Sequence, residues 1–63
     1  MDINALKAEM VKKGYTQATL ATELGISPRT FSNRLRKQEF GSKEIQVMMK
    51  VLNIKDPIEI FFT

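Results

Sequence analysis

TQATLATELGISPRTFSNRLRK, residues 16–37, holds the spacing on which the fold turns. Thr16 has the side chain of a helix N-cap, and Leu20, Ala21 and Leu24 follow it as an apolar stripe at helical spacing. Gly25 ends that helix, because glycine alone enters the left-handed conformation of a tight turn without steric cost. Ser27 then offers a second cap, with Pro28 at the first helical position, where its missing N–H costs nothing. Only Gly25-Ile26-Ser27 separates the two helices. Helices joined so briefly cross steeply and need a small side chain at the closest approach. Ala21 fits that place, and Leu20, Leu24, Ile26 and Phe31 are expected to point inward.

Outward from this stretch, three more helices can be read and no strand alternation. The first is expected from about Asp2 to Lys13, with Ile3, Leu6 and Met10 inward and Gly14 as its stop. Ser42 is expected to cap the fourth, whose apolar residues are Ile45, Met48, Met49 and Leu52; the two methionines read as core filler. Asp56-Pro57-Ile58-Glu59 starts the fifth, with an Asp cap, Pro at the first position and a Glu able to bond back to the cap. That helix is expected to run up to Thr63. Gln38 to Gly41 is the most loop-like interior stretch. The expectation is an all-α, single-domain bundle of about five short helices over residues 1–63.

At 63 residues without Cys or His, the chain has neither disulfide nor zinc site to staple it, and must rely on helix packing. An apolar fraction of 43% is ordinary for a globular domain. The start, MDINALKAEMVKKG, lacks the apolar core of a signal peptide, and IEIFF is too short to span a bilayer. With no Cys, the composition accords with a cytoplasmic location.

Net charge is +3, unevenly spread. Residues 28–43 carry Arg29, Arg34, Arg36, Lys37 and Lys43 against Glu39, a balance of +4. Residues 1–27 balance to zero and residues 44–63 to −1, so the excess lies in one quarter of the chain. Such clustering fits a polyanionic partner.

The small, Gly and apolar spacing of residues 16–37 closely resembles the helix-turn-helix of lambdoid phage repressors and Cro proteins, the Xre-like family. The resemblance covers nearly the whole chain, since those domains also have about five helices with the motif in helices two and three. It implies a sequence-specific regulator of transcription, a repressor of phage or prophage type, acting on double-stranded DNA in the cytoplasm at the nucleoid. Helix three, about residues 28–37, would then lie in the major groove. At about 100° per residue, Phe31 and Leu35 mark its buried side, while Arg29, Asn33 and Arg36 fall within roughly 60° of one another opposite them. Arg can bond guanine O6 and N7, and Asn adenine N6 and N7. Thr30 and Ser32 flank this row, and Ser27 and Pro28 at the helix start join the candidate set.

Gln17, at the start of helix two, is placed for a phosphate by free N–H groups and the helix dipole; the matching Gln of the resembling repressors touches DNA. Lys37, Ser42 and Lys43 are candidates for phosphate beside the following loop. Two positions depart from the family. Arg34 stands where an apolar residue is usual, so Leu35 takes the packing role, and no Asn-Gly turn follows helix three.

The resemblance also implies two-fold pairing at the end of helix five, on DNA if not free, and hence a pseudo-palindromic site. Helical angle puts Ile58, Phe61 and Phe62 on the face packed under helices one and four, and Ile60 outward. Ile60 and Phe62 are the dimer contacts expected from that pairing at the end of helix five. No cofactor, metal or small-molecule substrate is expected, and nothing converges as catalysis requires, so the chain does not read as an enzyme. The alternative is an adaptor or antitoxin-like protein-binding module without DNA binding.

Overall fold

The computed structural model describes residues 1–62 and is all-helical over that range. Its elements are α1 (Ile3–Lys12), α2 (Gln17–Leu24), α3 (Pro28–Lys37), α4 (Ser42–Val51) and α5 (Pro57–Phe61).

Local chemistry accounts for most helix starts. The Asp2 carboxylate accepts the Ala5 N–H at 3.0 Å and caps α1. Thr16 caps α2 reciprocally with Thr19: Thr19 N–H bonds Thr16 Oγ1 at 3.1 Å, and Thr16 N–H bonds Thr19 Oγ1 at 2.8 Å. Ser27 caps α3 by accepting the Thr30 N–H at 3.1 Å, with Pro28 in the first turn. Two expected caps are corrected. Gly41, not Ser42, holds the cap position of α4, and Ser42 is its first helical residue. The bond that matters there runs backwards, from Gly41 N–H to Glu44 Oε1 at 2.8 Å, so a carboxylate three residues on replaces a capping hydroxyl. Asp56 does occupy the cap position of α5, but its side chain makes no capping bond.

Four helix ends share one device, a residue at positive φ followed by paired bonds back to the last turn. At Gly14 (φ 79°), Tyr15 N–H reaches Met10 O at 2.7 Å and Gly14 N–H reaches Val11 O at 3.1 Å. Gly25 (φ 73°) repeats the pattern, with Ile26 N–H on Ala21 O at 3.0 Å. The other two are not glycines. Gln38 (φ 58°) ends α3 and Asn53 (φ 50°) ends α4, with Glu39 N–H on Arg34 O at 3.0 Å and Ile54 N–H on Met49 O at 3.1 Å.

The core consists of Leu6, Met10, Leu20, Ala21, Phe31, Leu35, Met48, Leu52, Ile60 and Phe61. Leu24, Ile26 and Met49 are half-buried against it. Helix α2 packs against both α3 and α4, and α1 against α5. Phe40 folds back from the α3–α4 loop to place its ring 5.4 Å from that of Phe31.

The face of α5 is the main correction. Ile60 is 6% exposed, whereas Ile58 and Phe62 are each 64% exposed. The inward side is the buried Ile60 and Phe61 with the half-buried Pro57, again an i, i+3, i+4 set within about 100°. Pro57 is its overlooked apolar member, a residue that starts the helix and is half-buried there. Asp2 N–H holds this side inward by donating to Ile60 O at 2.6 Å, which ties α5 to the start of α1. Thr63, the expected end of α5, lies outside the described residues.

Candidate functional site

Helix α3 is anchored from behind. Phe31 is fully buried and Leu35 nearly so, which fixes the rotation of the helix about its axis. Arg34, the departure noted in the sequence, does not join the basic surface. Its guanidinium pairs with the Glu44 carboxylate on α4, and the two side chains are 38% and 16% exposed. Glu44 thus serves twice, bonding Gly41 N–H through Oε1 and Arg34 through Oε2. The cluster of cations read from the sequence loses one member to the scaffold, and that member locks α3 to α4.

Facing away from the core, Arg29, Ser32, Asn33, Arg36 and Lys37 are all exposed, as expected. Arg29 makes no hydrogen bond or ion pair with any described residue. Arg36 Nη2 donates to Asn33 Oδ1 at 3.3 Å, so these two side chains form a pair rather than two separate groups. Ser27 and Thr30 are engaged locally: Ser27 Oγ donates to Thr30 Oγ1 at 2.9 Å while accepting the Thr30 N–H. Their hydroxyls shape the helix start, and Pro28 beside them is exposed.

Gln17 comes to the same side of the molecule. It shares a shallow groove of about 230 Å³ with Ser32, Leu35 and Arg36 of α3 and with Ile3 and Lys7 of α1. The reciprocal Thr16–Thr19 cap uses the Thr19 amide and leaves those of Gln17 and Ala18 without a side-chain acceptor. The start of α2, with its positive dipole end, therefore adjoins the polar row of α3.

Lys7 was missed by the sequence reading. It lies ten residues before Gln17, on a helix whose apolar pattern says nothing about α3. Only the packing brings it to this groove. Ser42 goes elsewhere, lining an apolar groove with Phe40, Ile45, Gln46, Met49 and Phe62. Lys43, next to it, is exposed on the first turn of α4. The structure thus gathers Gln17, Ser32 and Arg36 with Lys7, and sets Ser42 apart from them.

Among the described residues there is no cluster of His, Cys, Asp or Glu that could hold a metal ion. No described helix is long and apolar enough to cross a membrane. Comparison with protein-family models, with curated proteins and with solved structures gave no match.

Proposed function

We propose that the chain is a sequence-specific regulator that binds double-stranded DNA, with α3 in the major groove and the start of α2 on the phosphate backbone. The observation that carries the reading is the exposed row Arg29, Asn33, Arg36 on a helix whose opposite side is fixed by Phe31 and Leu35. A rigid helix carrying Arg and Asn on its outward side has the hydrogen-bonding groups that distinguish base pairs in the major groove. Gln17, Lys7, Lys37 and Lys43 supply groups of the kind that hold phosphate without reading sequence. The α2–turn–α3 unit and the five-helix order support membership of the Xre/Cro-like family, and with it a repressor of phage or prophage type working at the nucleoid.

Pairing of two copies on a pseudo-palindromic site belongs to this proposal, with one revision. Ile60 is buried in the core and is not available to a partner. Phe62 remains exposed, beside the half-buried Phe40, Ile45 and Met49. This apolar groove is the proposed contact between copies. The same groove also favours the rival reading, a protein-binding module that ignores DNA.

Salt titration separates the two. With Lys7, Lys37 and Lys43 on phosphates, log affinity falls against log salt with a slope of about −3 per copy, from about −0.9 per phosphate. Arg29→Ala costs about 1–3 kcal/mol on a selected site and relaxes base preference, whereas Lys43→Ala weakens all sequences alike. A protein that is not retained on bulk DNA at low salt is not a DNA-binding regulator, and the protein-binding reading then stands.

A further inference from the structure

Arg36 has a choice of partners and takes an unusual one. The nearest acids in sequence are Glu39 and Glu44, but Glu44 is held by Arg34, and Glu39 is exposed with no bond to Arg36. The guanidinium instead donates to Asn33 Oδ1 at 3.3 Å across one turn of α3. Resting on the DNA-binding reading above, we propose that Asn33 and Arg36 act as one unit that selects guanine over adenine.

The argument is one of donors and acceptors. An unengaged Asn presents an acceptor and a donor side by side, which matches the N6 amino group and N7 of adenine. When Oδ1 faces a guanidinium, the edge left for DNA is the Asn33 Nδ2 amino group together with the remaining N–H groups of Arg36. One lone pair of Oδ1 stays open, but donors outnumber it on that edge, which carries the positive charge of the guanidinium. Guanine answers it with two acceptors, O6 and N7. The N6 amino group of adenine and the N4 amino group of cytosine meet it donor to donor, and thymine offers the single acceptor O4. Arg36 is in this sense a positioning residue for Asn33 as well as a donor in its own right.

The scaffold does not let the row re-aim. Leu35 lies between the two turns on the buried side, and the Arg34–Glu44 ion pair fastens the flank of α3 to α4. Rotating the helix to aim Asn33 toward a different base would drag both out of place. Arg29 stands seven residues before Arg36 and reads its own base without involving the pair.

The test is selection of bound sequences from a random DNA pool by the parent, Asn33→Ala and Arg36→Met. The methionine keeps most of the stem of Arg36 and removes the guanidinium. Asn33→Ala identifies the base position that belongs to the pair, as the one whose preference disappears. At that position the parent selects guanine, and Arg36→Met moves the preference to adenine, changing the guanine-to-adenine ratio by about tenfold or more. All three proteins keep the same helical circular dichroism, since both sites are exposed.

Two outcomes overturn the inference while leaving DNA binding intact. One is adenine already preferred by the parent at that position. The other is an Arg36→Met variant that retains every base preference and loses affinity uniformly, which would make Arg36 a phosphate contact. Failure of the parent to retain any DNA overturns this inference and the functional reading together.

Discussion

Ala21 has no exposed surface, and its carbonyl accepts the Ile26 N–H that closes the turn between α2 and α3. A larger side chain there has no void to fill and would push the two helices apart. Ala21→Leu is accordingly expected to destabilise by about 1–3 kcal/mol, read as a lowered urea midpoint with an unchanged slope. An unchanged midpoint would mean that the crossing has slack at this point. The smallness required at Ala21 was legible because the turn is only three residues long. Arg34 was legible only as an anomaly. A charge beside Phe31 and Leu35 signals a neighbour, but the sequence does not say that the neighbour is Glu44, ten residues on and on another helix. Lys7 gave no signal, since its relation to Gln17 and Arg36 exists only after α1 packs.

Among the elements, helix ends divide the readable from the unreadable. Gly14 and Gly25 announced their turns because glycine pays least for positive φ. Gln38 and Asn53 adopt the same conformation with a Cβ, and nothing in the residue type marks Gln38 as a stop. Gln38→Gly relieves that steric cost, and a gain of about 0.5–1 kcal/mol is expected from thermal or denaturant unfolding. Gly25→Ala would move in the opposite direction. Loss of stability in Gln38→Gly would show that the glutamine side chain contributes something its bonding does not reveal. The start of α4 was placed one residue late because Ser42 is the better capping residue by type. The backbone is instead capped by Glu44 reaching back to Gly41, a signal present in the sequence as an acid three positions on. The outward row of α3 was readable because ten residues give nearly three turns of periodicity. Five residues of α5 do not: two alternative i, i+3, i+4 faces compete, and only contact with α1 decides between them.

For the whole molecule, size sets what one copy can read. The Cα trace measures 26 × 23 × 20 Å, while equivalent points of successive major grooves lie about 34–36 Å apart. On the DNA-binding reading proposed above, one copy would cover one half-site and a full site would take two. If the groove around Phe62 joins them, Phe62→Asp sediments on a palindromic site as one copy where the parent sediments as two. Because Phe62 is 64% exposed, the variant keeps its melting temperature. Two copies of the variant seated on the site would place the contact elsewhere.

The bond from Asp2 N–H to Ile60 O also has a kinetic meaning. It closes nearly the full length of the chain, and loop-closure entropy makes such a contact costly until intervening structure has shortened the loop. Helices α3 and α4 both pack against α2, close to it in sequence, and these three can form first. The clasp between α1 and α5 then completes the core with Ile60 and Phe61, and what closes last opens first. In hydrogen exchange under native conditions, amides of α1 and α5 are expected to lose protection together, ahead of those around Ala21 and Phe31. The outward face of α3 would then outlast the opening of the two chain ends.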